Sequence, residues 1–136
     1  MRRVSVWIAV GLAWVVMVGL RVQAQGGWTV PTTAEAEKNP LTVNAAVLAG
    51  GKKLYTSKCQ RCHGLEGKGD GPDGDPEHMD DMDLTVHGRA AKNTDGVVFY
   101  KIWNGRESPK MPPQKDEMTK EQVWALVAYT QSLRKN

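Results

Sequence analysis

Cysteine is almost missing from this chain: 136 residues contain two. That excludes a disulfide-rich scaffold and leaves no second cysteine cluster to complete a four-ligand zinc site. Histidine is nearly as scarce, with three. His78 and His87 do not stand at a finger-like spacing, so they do not complete such a site either. No segment alternates apolar and polar residues as a strand does, and no βαβ pattern is visible. A thioredoxin-like reading of a Cys-x-x-Cys pair therefore lacks its context. Acids are absent from residues 1–24, which hold Arg2, Arg3 and Arg21. The formal charge of +3 belongs to that segment. Without it, bases and acids balance, so the basic total is no argument for nucleic-acid binding.

The same segment reads as an export signal. Arg2 and Arg3 form a basic n-region, and Val4 to Leu20 is almost wholly apolar. Val22-Gln23-Ala24 places small residues where a signal peptidase reads, so Gln25 would begin the mature chain. Residues 1–24 are expected to be a signal peptide, or an uncleaved anchor associating with the membrane through residues 4–20. Both cysteines then enter an oxidising compartment, which suits cysteines consumed by a cofactor. Residues 25–43, punctuated by Gly26-Gly27, Pro31 and Asn39-Pro40, read as a flexible leader. Within it Trp28 packs back on the domain or sits near a membrane.

What is there is Cys59-Gln60-Arg61-Cys62-His63. This C-x-x-C-H is the attachment signature for a c-type haem. Two thiols at this spacing share one side of a helical turn and can add to the two vinyl groups of one haem. His63 can then offer its imidazole to the iron. A structural disulfide is the plainer alternative, but two intervening residues make a tight ring.

Helices flank the motif. Asn44 is a plausible N-cap, and Val47, Leu48, Gly51, Leu54 and Tyr55 follow at helical spacing. Thr94 or Asp95 can cap a second helix carrying Val97, Val98, Tyr100 (or Phe99) and Ile102, with Gly105 as its stop. Thr119 and Gln122 have the capping-box form before Val123, Leu126, Val127, Thr130 and Leu133. Between Asp70 and Asp83 lies an acid-rich loop without Lys or Arg. It reads as solvated surface or as a docking patch for a basic partner. Asp73-Gly74-Asp75-Pro76-Glu77 fits no standard calcium spacing. The expectation is an all-α domain of three main helices with long loops, its modest core completed by a haem.

With these features in order, residues 44–136 resemble a class I c-type cytochrome of the short bacterial monohaem kind. Gly51 and Tyr55 stand ahead of Cys59 as in that family's first helix. Leu126-Val127-Ala128-Tyr129 is similar to the last helix, which crosses the first at its glycine. The resemblance further rests on Gly69-Asp70-Gly71-Pro72, Asp83-Leu84-Thr85, Asn104-Gly105 and Met111-Pro112-Pro113. It implies the class I fold around one covalently attached haem c, with Cys59 and Cys62 as thioethers. It also implies His63 and Met111 as axial iron ligands. Pro72 would lend its carbonyl to His63 Nδ1. Met79, Met82 and Met118 are rival thioethers, and His78 or His87 would instead give a bis-His haem. Tyr100, Trp103 and Arg106 either line the haem, meet a propionate or serve ordinary packing and surface roles.

The function expected is a one-electron carrier of the bacterial periplasm, released or anchored, rather than an enzyme. It would exchange electrons with redox protein partners and bind no nucleic acid. The alternatives are a fixed haem subunit of a larger oxidoreductase, a haem domain with a labile sixth position, and a non-haem metal or redox protein using both cysteines.

Overall fold

The structure is a computed structural model that describes residues 22–25 and 27–134. The signal or anchor expected over 1–24 lies, up to residue 21, outside the described residues. Among the described residues no helix is long and apolar enough to cross a membrane.

Strands β1 (Val22–Gln25) and β2 (Trp28–Pro31) form an antiparallel pair, and α1 (Thr32–Ala36) follows directly. Then come α2 (Ala45–Lys58) and α3 (Gln60–His63), α4 (Met79–Met82), α5 (Asp95–Asn104) and α6 (Lys120–Ser132). Short 3-10 turns sit at Pro76–His78 and His87–Lys92. The fold is all-α in its body, with α2, α5 and α6 as its three main helices. Gly27, at a φ of 79°, leads the chain into β2 in a conformation that glycine adopts without strain.

Local sequence explains the helix ends. Asn44 Oδ1 accepts the Val47 N–H at 3.0 Å and starts α2. Thr119 and Gln122 close a reciprocal capping box on α6. At α5, Thr94 occupies the N-cap position but makes no cap bond. Its hydroxyl donates instead to the Glu35 carbonyl at 3.1 Å, which ties α1 to α5.

The main core forms where α2 meets α6. Tyr55, Val123, Leu126 and Val127 are fully buried, each aliphatic one contributing about 1.5–3 kcal/mol. A Cβ on Gly51 would run into the Ala125 carbonyl and come within 2.8 Å of Tyr129 Cβ. The crossing therefore requires glycine there. Phe99 stacks on Trp124 with centroids 4.2 Å apart, bringing α5 onto the same core.

A second, smaller core corrects the expectation of a leader without regular elements over 25–43. Trp28, Val30 and Ala34 pack against Val97 of α5. A Cβ on Gly96 would strike the Ala34 carbonyl, so α1 and α5 touch backbone to backbone. Trp28 thus packs on the domain. The processing point expected after Ala24 falls inside β1, while β2 is held by its own side chains.

Candidate functional site

Helix α2 ends at Lys58, and the chain turns at once into α3, which carries the C-x-x-C-H run. The Cys62 and His63 N–H groups donate to the Cys59 carbonyl at 3.2 and 2.9 Å. This turn sets both thiols and the imidazole along one wall of a cleft. The Tyr55 hydroxyl, fully buried, donates to the Gly64 carbonyl at 2.6 Å and pins the turn's end to α2. The cleft has a volume of about 320 Å³, within the roughly 300–1,000 Å³ of small-molecule and cofactor pockets. Cys59, Cys62, His63 and Met111 all line it, with Leu84, Val98 and Ile102 among its apolar lining.

His63 is oriented from behind. Its Nδ1 lies 2.8 Å from the Met82 carbonyl. That partner makes Nδ1 the protonated nitrogen and leaves the Nε2 lone pair free for a metal. Burial pushes the imidazole below its ordinary value of 6.5, against a smaller upward push from the Met82 carbonyl. The ring is therefore neutral at neutral pH, the form that ligates. The acceptor expected here was the Pro72 carbonyl, and this is corrected. Pro72 is exposed, because the loop after Gly64 folds back under α3. There the Asp73 N–H donates to the Arg61 carbonyl at 2.7 Å, and the Arg61 guanidinium grips the Asp73 carboxylate. The loop then returns through α4, where Lys68 and Asp83 pair as a bridge and the Leu84 N–H donates to Gly67 at 2.7 Å. That return is what brings Met82 to His63.

Met111 enters from a separate loop. Arg106 and Met111 exchange both backbone hydrogen bonds, at 2.8 and 2.9 Å. The Arg106 Nε donates to the Pro109 carbonyl at 2.8 Å. Gly105, with φ of 60°, allows the tight start of this loop, where a Cβ would press on the Met111 carbonyl. Met111 touches both cores. Of its rivals, Met118 is buried in the main core and Met79 is exposed; neither lines the cleft. Met82 does, but its backbone stands behind the imidazole. His78 pairs with Asp75 at 2.9 Å, and His87 is exposed; neither lines the cleft. Among the described residues no group of three or more His, Cys, Asp or Glu gathers to hold a metal ion, so the acidic loop supplies no calcium cage.

The donor set fits a haem. Cys59 and Cys62 are free thiols, a neutral imidazole stands beside them, and a thioether faces the same cleft. Burial, with Cys62 nearby, pushes the Cys59 thiol up to about 12. Arg106 lines the cleft as expected of a propionate partner, whereas Tyr100 and Trp103 line a separate groove beside α1. The sequence reading missed Trp28, Arg89, Lys101 and Arg134, which also line the cleft. Lys101 is pushed down to about 8, mainly by burial and then by Arg106.

Comparison with known proteins gives the same picture. The family model described as Cytochrome c matches residues 48–134. A chain of the Kuenenia stuttgartiensis reducing HAO-like protein complex superposes with a TM-score of 0.61 at 29% identity. The match covers 71% of this chain and 47% of that one, so this chain spans about half the length of that relative. The KustC0563 c-type cytochrome superposes with a TM-score of 0.52 at 29% identity. That match covers 62% of this chain and 98% of that one. No curated protein matches the sequence.

Proposed function

Since the chain belongs to the cytochrome c family, in the class I c-type group that binds haem c covalently and transfers electrons through it, we propose that it is a one-electron carrier with His63 and Met111 as the iron's axial ligands. The observation that carries this reading is the convergence of Cys59, Cys62, His63 and Met111 on one cleft, with His63 Nδ1 already committed to Met82. When bound, haem c supplies a one-electron iron couple. The chain's part is to hold it, to bury it and to present an edge. His63 gives a basic, oriented nitrogen. Met111 gives a soft neutral sulfur, which favours the reduced iron and raises the potential. With both positions filled, no coordination site is left for substrate, so the chain is read as a carrier and not an enzyme. The export-like N-terminus supports a periplasmic setting, either released or anchored through residues 4–20. The partners are redox proteins meeting the edge in small, short-lived interfaces.

Visible spectra test this on protein matured with haem-attachment machinery. Oxidised and reduced spectra should show a low-spin c-type haem with a thioether-to-iron charge-transfer band, and the intact mass should include one haem. Ready binding of carbon monoxide by the reduced protein, without denaturant, would instead show a labile sixth position. A mass without haem would sink the reading entirely.

A second reading is favoured by the likeness to a chain of the Kuenenia complex. In it the domain is a fixed subunit of a larger oxidoreductase. Co-purification of a tagged full chain with stoichiometric partners would support it over the free carrier.

A further inference from the structure

The cleft carries a cluster of cationic side chains. Arg89, Lys101, Arg106 and Arg134 line it. Asp81 stands 3.8 Å from the Arg106 guanidinium and is 40% exposed, and Asp95 acts on Arg134. The other acids lining the cleft are engaged locally: Asp73 with Arg61, Asp75 with His78, Asp83 with Thr85. Lys101 Nζ donates to a neutral acceptor, Asn93 Oδ1, at 2.7 Å. Half-buried cations in excess of acids are costly unless anions come to them. A haem brings two carboxylates, at the edge away from its vinyl groups.

Trp28 organises two of these cations. Its indole, 9% exposed, carries the Arg106 guanidinium 4.7 Å and the Lys101 ammonium 5.5 Å from its ring centroid. Both distances lie within cation–π range. The ring in turn is fixed by the packing of Val30 and Ala34 on Val97. Asn39 ties the same N-terminal segment to α6, donating to the Trp124 carbonyl at 2.9 Å. Trp28, Val30, Ala34 and Asn39 lie ahead of residues 48–134, the part matched by the family model, while the cations they hold lie within it.

We propose that Trp28 is a positioning residue of the haem pocket: its indole holds Lys101 and Arg106 where they receive the haem carboxylates, so that the N-terminal segment sets the charge felt by the iron. The inference rests on the haem reading but not on the carrier role. The downward push on Lys101 agrees with a site awaiting a negative partner.

The test uses the full holoprotein, with covalent haem confirmed by mass and Met ligation by spectrum, so loss of either would indict the broader reading and not this one. Potentiometric titrations at low ionic strength compare wild type with Lys101→Met, Trp28→Leu, Trp28→Phe and the Trp28→Leu/Lys101→Met double variant. A cation beside the iron favours the reduced state, so Lys101→Met should lower the potential. Trp28→Leu should lower it too, Trp28→Phe should restore most of the loss, and the double variant should match the larger single effect. Redox-difference infrared spectra should show the haem carboxylate bands shifting in Trp28→Leu and Lys101→Met alike. An unchanged potential and unchanged carboxylate bands in Trp28→Leu, alongside a lower melting temperature, would overturn the proposal and leave Trp28 a packing residue. Should Trp28→Leu not fold, Trp28→Phe and Lys101→Met decide: carboxylate bands unmoved by Lys101→Met would place the carboxylates elsewhere.

Discussion

Two methionines face the cleft, and they contribute different atoms. Met82 offers its backbone carbonyl to His63, and Met111 stands ready to offer sulfur. Replacing Met82 with Ala keeps the carbonyl and should leave the spectrum of the holoprotein intact. Met111→Ala should abolish the thioether-to-iron band and lower the potential, while Met79→Ala and Met118→Ala retain the band. The visible spectrum of the four variants checks this. Cys59 makes a second residue-scale prediction. Burial holds its thiol at about 12, so little thiolate exists at neutral pH, and the thiolate is the reactive form. In haem-free protein, Cys59 should alkylate at least tenfold more slowly folded than in denaturant, as peptide mass mapping would report. The sequence pointed to Cys59, Cys62, His63 and Met111 because their chemistry depends on residue type. The Met82 carbonyl was invisible for the opposite reason. Any residue has a carbonyl, so only the path of the chain decides which one meets the imidazole.

Among the elements, the α2–α6 crossing is the most sharply specified. Gly51→Val should destabilise the holoprotein by about 1–3 kcal/mol, the usual cost of overpacking, or more because the obstacle is backbone. Gly50→Val is the control at a position where an added Cβ meets nothing within 4 Å, though it carries the ordinary helix penalty of a β-branched residue. Denaturant midpoints of the two variants separate packing from propensity. The helices α2, α5 and α6 were legible because caps, apolar spacing and stop signals agreed at each. The hairpin was not. Its strands are four residues each, too short for alternation to stand out, and its first strand overlaps the end of the segment read as an export signal, residues 1–24. Gly26-Gly27 between Gln25 and Trp28 was the available signal. At α5, Thr94 was read as a cap, but the hydroxyl serves a carbonyl 59 residues away. A tertiary partner outside the local window took the bond that the local pattern assigned to the helix.

At the scale of the whole molecule, both cores reach the cleft and share Met111. Protein made without haem attachment should keep much of its helical signal but melt at a markedly lower temperature, since the cleft walls then lack apolar partners. Circular dichroism of haem-free and holoprotein checks this. The haem-free form should also weaken in mild acid. His63 is held below 6.5 by burial, so below that pH the unfolded chain binds a proton that the folded chain resists, and stability falls as pH falls. Chemical denaturation of the haem-free protein between pH 7.5 and about 5 measures the effect, which His63→Gln should reduce. The Gly51 crossing has a temporal consequence too. In a chain exported N-terminus first, helix α2 and the C-x-x-C-H turn arrive before α6, whose Ala125 and Tyr129 close on the notch at Gly51. Until those residues arrive, the attachment turn sits on a helix without its mate and its thiols are open to whatever fastens the haem. A chain cut before Lys120 should therefore still accept haem but fail to close over it, leaving a cofactor that is covalently bound and wet.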